Sequence, residues 1–239
     1  MKQKEITLNT LLNGDKISLK NHSDEDIGNE HMSTGVETPM KANAFEMSDE
    51  EKMKKIEASF TDIMETLGLD LNDDSLKGTP GRVAKMYVKE IFSGLDPANK
   101  PKIALFENRY QYNQMLVEKN MTFYSNCEHH FVPIFGKAHV AYISNGKVIG
   151  LSKLNRIVQY YAKRPQVQER MTMQIAKELQ AVLQTEDVAV LIDAKHLCVS
   201  SRGVQDTDSA TVTSFYGGKF TNETTKQEFL KYLELNSGH

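Results

Sequence analysis

Any fold this chain adopts has to account for the placing of its two cysteines. Cys127 opens the run Cys127-Glu128-His129-His130, and Cys198 closes His196-Leu197-Cys198. Of the seven histidines, His22, His31 and His239 lie in polar tails, and three of the other four stand within three residues of a cysteine. Two thiols in 239 residues exclude a disulfide-dense secreted scaffold. One disulfide between them stays open on arithmetic alone, as does a pair of ordinary core thiols. The neighbouring imidazoles favour a metal. Zinc takes thiolate and imidazole ligands tetrahedrally, and three protein ligands plus a water leave a catalytic position open.

The two-residue gap between Cys127 and His130 lets a tight turn deliver both side chains to one ion, with Cys198 expected from a distant strand. On a strand, His196 and Cys198 would share a face about 6.6 Å apart, so His196 stands beside the ion without ligating it. His129 projects elsewhere from its neighbour and is a candidate for substrate contact or proton transfer. A closed structural site with a fourth histidine as ligand is the competing reading, and a redox disulfide is a third. For His129 and His196 the alternative role is to orient a ligand. His139, alternating with Val140 on a strand, reads as structural.

The rest of the chain sorts by texture. Residues 1–45 are polar, with acidic stretches such as Ser23-Asp24-Glu25-Asp26, and read as a flexible N-terminal extension. From residue 46 to 239 the pattern is that of one domain. Ser48-Asp49-Glu50-Glu51 is a capping box ahead of an amphipathic helix that stops at Gly68. Thr79-Pro80 supplies an N-cap and a first-turn proline for a second helix ending at Gly94, so the N-terminal helices span about 48–95. From about 103 onward β-branched and aromatic residues predict strands over 121–125, 134–143, 188–199 and 211–220, with Asn145-Gly146 as a hairpin turn before Val148-Ile149. Helices are expected over 152–161, along Val167, Met171, Ile175, Leu179 and Leu183, and from Thr224 or Thr225. Helices packed on an antiparallel sheet make the class α+β.

Charge and apolar patterning narrow the partners. Lys and Arg number 29 against 32 Asp and Glu, no basis for broad electrostatic binding to nucleic acid. No apolar run approaches the ~18–20 residues of a membrane span, and no apolar stretch follows the basic N-terminus as in a secretory signal. The expectation is a cytoplasmic protein with neither nucleic acid nor membrane as partner.

Four segments then carry a resemblance. Cys127-Glu128-His129-His130, Gly150-Leu151-Ser152-Lys153-Leu154-Asn155-Arg156, Arg164-Pro165-Gln166-Val167-Gln168-Glu169-Arg170, and His196-Leu197-Cys198 followed by Ser201-Arg202-Gly203 resemble the signatures of GTP cyclohydrolase I. They occur in that family's order, with Thr79-Pro80-Gly81-Arg82 upstream, and the likeness runs from about Ser48 to the C-terminus. Where many relatives carry a turn proline, this chain has Ser144-Asn145-Gly146. The resemblance implies a T-fold, or tunnelling fold, over about 103–239: a four-stranded antiparallel sheet with helices on one side. It implies a homodecamer of two pentameric rings with sites between subunits. The implied reaction converts GTP and water to formate and 7,8-dihydroneopterin triphosphate, the first step of pterin and tetrahydrofolate synthesis.

By the same resemblance Cys127, His130 and Cys198 hold a catalytic Zn2+, which supplies hydroxide near neutral pH where bulk water offers almost none. His196 would protonate the purine imidazole as water adds to C8, and His129 would assist ring opening or the later rearrangement. Glu169 can accept the donor pair that guanine presents at N1 and its 2-amino group, with Gln168 a weaker candidate for the same pocket. Ser152 would meet the ribose. Lys153, Arg156 and Arg202 suit the triphosphate, and Arg82 and Lys85 match family residues reaching the triphosphate of a neighbouring subunit. Taken alone, each of these charges reads as solvated surface. Two rivals stand beside this reading: a pterin-converting or deazapurine-modifying enzyme on the same fold, and a zinc-stabilised scaffold without catalysis.

Overall fold

The structure, a computed structural model, describes residues 35–235. Most of the expected N-terminal extension, residues 1–34, lies outside them, as do His22, His31 and His239. What remains of that extension is tied down. Backbone carbonyls of Gly35 and Val36 accept hydrogen bonds from the side chains of Arg170 and Gln174, at 3.1 and 2.8 Å.

The first helix, α1 (Asp49–Thr66), begins as its sequence demands. The Ser48 amide donates to Glu51 Oε2 at 2.8 Å and the Glu51 amide to Ser48 Oγ at 3.3 Å, which closes the capping box. Helix α2 (Thr79–Met86) differs by one residue from expectation: Gly78 is its N-cap and Thr79 lies inside the first turn. It runs on through a π-helical turn, Tyr87–Ile91, and a 3-10 turn, Ser93–Leu95. Gly94 then meets the rest of the molecule at close quarters. Its amide donates to Lys163 O at 2.9 Å, its carbonyl accepts from Arg164 Nε at 2.8 Å, and a Cβ there would come within 2.0 Å of Tyr160 O. Only glycine permits that approach.

The strands follow: β1 (Leu105–Glu107), β2 (Met115–Cys127), β3 (Pro133–Ile143) and β4 (Lys147–Ile149). Next come α3 (Leu151–Ala162), β5 (Pro165–Gln166), α4 (Gln168–Leu183) and β6 (Val188–His196). The chain closes with α5 (Leu197–Ser200), β7 (Thr211–Tyr216) and α6 (Glu223–Glu234).

The main sheet has the order β5-β2-β3-β6-β7. Its four long strands are antiparallel, as expected; the fifth is the two-residue β5, which runs parallel to the end of β2. The class is α+β. The Asn145-Gly146 turn does not fold β4 back on β3 as a hairpin would. Gly146 takes the left-handed conformation the turn requires, yet β4 pairs with β1 in a separate two-stranded sheet.

The pleat assigns each face. Ile134, Ala138, Val140 and Tyr142 of β3, with Val188, Val190, Ile192 and Ala194 of β6, meet Leu154, Ile157 and Val158 of α3 and Met171, Ile175 and Leu179 of α4. The opposite face is covered at one end by α6 and the 3-10 turn before it, Gly218–Thr221: Phe229 and Phe220 pack on Met115, Ala141 and Ala189. The helices therefore do not all lie on one side, because residues such as Ala141 and Ala189 alternate outward and are apolar too. His139 is buried on β3 and accepts from the Asn120 amide at 3.3 Å, where a bulge in β2 turns that amide toward it. That is the structural role expected of it.

Candidate metal centre

The sheet's long strands β2 and β6 flank β3 and end at the same edge, and this brings the two cysteines together. Past Cys127 the chain reverses in a tight turn. The Cys127 amide donates to Val132 O and the Phe131 amide to Cys127 O, both at 2.9 Å. Phe131 adopts a φ of 55°, an uncommon conformation for a bulky residue. Its ring is held by Phe92, with centroids 5.1 Å apart, and by Tyr87, so aromatic packing from the α2 end offsets the strain.

Cys198 arrives differently from expectation. The β6 strand ends at His196, and Cys198 lies in the one-turn helix α5. The shared strand face predicted for His196 and Cys198 is replaced by a bend. Donor atoms of Cys127, His130 and Cys198 lie within 4.8 Å of one another. Three donors at about 2.0–2.3 Å from one tetrahedral ion stand about 3.5 Å apart, so a small inward adjustment closes the set. His130 Nδ1 is 3.8 Å from Cys127 Sγ, while Arg202 Nη1 donates to His130 Nε2 at 3.0 Å. Nδ1 is therefore the nitrogen turned to the sulfurs.

Electrostatics supports the same fit. Both cysteines are free thiols. Burial, and then the Cys127 sulfur beside it, push the Cys198 thiol up to about 11. The Cys198 thiol thus resists ionisation without a cation, and a divalent ion held by this group would remove that resistance. The three residues form a group that can hold a metal ion.

His196 stands next to this group. Its Nε2 is 2.7 Å from Gln168 Oε1, and Gln168 is 1% exposed. The amide of Gln168 can point only one way, because its nitrogen lies 3.1 Å from Ile192 O and 2.8 Å from Thr211 O, and carbonyls only accept. The amide oxygen thus faces His196 and requires a proton on Nε2, which leaves Nδ1 as the basic nitrogen. Burial lowers the His196 pKa, with Glu169 opposing. Gln168, the weaker candidate for the base pocket, donates to the sheet and accepts from His196.

The other expected residues are more spread. Glu169 is exposed at the start of α4, near enough to His196 for its charge to be felt. His129 is exposed on the turn, with Nε2 3.8 Å from Glu128 Oε1. Ser152 and Arg156 are exposed and Lys153 half-buried on the first turns of α3. Arg156 lines a polar cavity of about 430 Å³ with Lys89, Tyr160 and Lys163. Arg82 and Lys85 are exposed on α2, where the Arg82 guanidinium donates to Thr79 Oγ1 at 3.1 Å. Sequence reasoning assigned nothing to Glu128 and Arg170, which form a buried ion pair behind the turn. A charged residue at the third position of a helix gives no local signal of its distant partner.

Fold and donor set define an α+β protein with a thiol–imidazole group that can hold a metal ion. Comparison with known proteins carries this further. A model of the GTP cyclohydrolase I family matches residues 56–234. GTP cyclohydrolase 1 of Flavobacterium johnsoniae is 62% identical over 213 residues, covering 89% of this chain and 96% of that protein. The proteins of the same name from Aeromonas hydrophila and Vibrio cholerae are each 56% identical, over 84% and 83% of this chain and 91% of each relative. The chain belongs to the GTP cyclohydrolase I family and is an enzyme of that type. Among the described residues, no helix is long and apolar enough to cross a membrane.

Proposed function

We propose that this chain opens the imidazole ring of GTP with water, releasing formate and forming 7,8-dihydroneopterin triphosphate, the first step of pterin and tetrahydrofolate synthesis. The observation that carries the reading is the convergence of Cys127, His130 and Cys198 beside a histidine whose tautomer is fixed. The three residues would hold Zn2+, His130 offering the Nδ1 that faces Cys127. When bound, the ion acts as a Lewis acid that makes water nucleophilic near neutral pH.

The chain's own groups then divide the work. His196 takes up a proton at Nδ1 and delivers it to the purine imidazole, while its Nε2–H stays hydrogen-bonded to Gln168 Oε1. His129, at the rim of the turn, assists ring opening or the later rearrangement, and Ser152 meets the ribose. Glu169 accepts from N1 and the 2-amino group of guanine, a donor pair adenine lacks. Lys153, Arg156 and Arg202 meet the triphosphate, Arg202 from its place beside His130 Nε2. Arg82 and Lys85 reach the triphosphate of a neighbouring subunit in a cytoplasmic homodecamer.

The test is formate release from GTP by the zinc-loaded full chain, with ATP as the control. Formate from GTP alone supports the reading; none from a zinc-replete oligomer overturns it.

A further inference from the structure

An arginine with almost no exposed surface reaches from the first turn of α4, beside Gln168 and Glu169, to the 127–130 turn. We propose that Arg170 is a positioning residue: gripping Glu128 with both arms of its guanidinium, it fixes the 127–130 turn against the first turn of α4. The proposal rests on the metal reading above.

Every nitrogen of that guanidinium has a partner. Nη1 donates to Glu128 Oε2, Nη2 to Glu128 Oε1 at 3.3 Å, and Nε to the Gly35 carbonyl at 3.1 Å. Arg170 is 6% exposed, and the Glu128 side chain 17%. Glu128 sits directly between the ligand Cys127 and His129. Its backbone is fixed from the same direction, since its amide donates to Gln166 O at 3.0 Å, just ahead of α4. Backbone and side chain of one residue thus bind the turn to the root of α4 at two points.

Stability alone does not explain such a pair. Burying two charges costs several kcal/mol in desolvation, and apolar residues of similar volume often hold a core as well or better. What an apolar pair lacks is direction. A planar two-pronged contact sets both distance and angle, and here it sets the turn bearing Cys127 and His130 relative to the helix bearing Gln168, the partner of His196. The seat of the arginine is itself supported. Gln174 Nε2 donates to Val36 O at 2.8 Å and Arg164 Nη1 to Thr38 Oγ1 at 3.4 Å, so residues 35–38 are strapped to α4 and to the turn before β5.

The full chain, stripped with chelator and titrated with Co2+, tests this. Cobalt bound by two thiolates and an imidazole reports its geometry through tetrahedral d–d bands and thiolate charge-transfer bands. Arg170→Lys keeps the charge and loses the fork; Glu128→Gln keeps the shape and loses the charge. Each is expected to weaken Co2+ binding about 10–100-fold and to change the d–d bands, as losses of groups that orient metal ligands do. The double variant should lose little more than the weaker single, because the two act as one unit. If Arg170→Lys does not fold, Glu128→Gln, at the more open end of the pair, decides alone. Co2+ affinity within twofold of wild type with unchanged bands in folded Glu128→Gln overturns the proposal, even if melting falls. Wild-type protein without thiolate–cobalt bands instead refutes the metal reading itself, and this proposal with it.

Discussion

Replacing Gln168 by methionine separates the hydrogen bonds of this side chain from its bulk. The two residues are close in volume, and volume-conserving swaps in a well-packed site usually cost under about 1.5 kcal/mol. Methionine, however, leaves the carbonyls of Ile192 and Thr211 without the donor that now reaches them at 3.1 and 2.8 Å. A buried acceptor left unpaired costs about 1–3 kcal/mol. Allowing for partial pairing elsewhere in the β6–β7 ladder, the loss should be about 2–4 kcal/mol. For a chain of this size that corresponds to roughly 5–15 °C in melting temperature. His196 loses the group that fixes its tautomer, so GTP turnover should fall about 10–100-fold while metal content stays at wild-type level. Gln168→Glu sharpens the comparison. A carboxylate still accepts from His196 but cannot donate to the carbonyls, so it should melt as low as the methionine variant. Melting of Gln168→Met within 2 °C of wild type would refute the hydrogen-bond assignment; a full turnover rate would refute the coupling to His196.

Three further outcomes follow from the same geometry. His196→Ala should keep zinc and lose turnover, and metal loss measured by elemental analysis would reassign it as a ligand. Glu169→Gln should raise the KM for GTP about 10–100-fold, the value of a charge-assisted hydrogen bond, without changing metal content; an unchanged KM would refute its reading of the base. His139 is held below the ordinary histidine pKa by burial. The unfolded chain therefore binds a proton that the folded chain resists, and stability should fall as pH drops below about 6.5. His139→Gln should flatten that limb of a urea-denaturation profile, and an unchanged pH dependence would refute the assignment.

Local chemistry was readable in the sequence wherever it acts over one turn. Ser48 and Glu51 announced the start of α1, and the four-residue spacing of Met171, Ile175 and Leu179 announced the buried face of α4. The metal group was readable because its residue types are rare and paired, even though residues 127 and 198 are far apart. What failed to show was set by long-range competition. Asn145-Gly146 marks a turn correctly, yet which strand β4 joins depends on β1, some forty residues upstream. The bend at His196 ends β6 two residues before Cys198, a boundary hidden by the apolar Leu197 and Val199. Gln168 reads in the sequence only as a weaker candidate for the base pocket; its hydrogen bonds to β6 and β7 give no local signal. Glu128 and Arg170, 42 positions apart, are invisible for the same reason.

The most direct check on the central assignment is zinc K-edge absorption of the full chain purified without chelator. Two sulfurs at about 2.3 Å and nitrogen or oxygen neighbours at about 2.0–2.1 Å are expected, with one sulfur lost in Cys198→Ser. A shell without sulfur, or a sulfur count that Cys198→Ser leaves unchanged, would contradict the assignment.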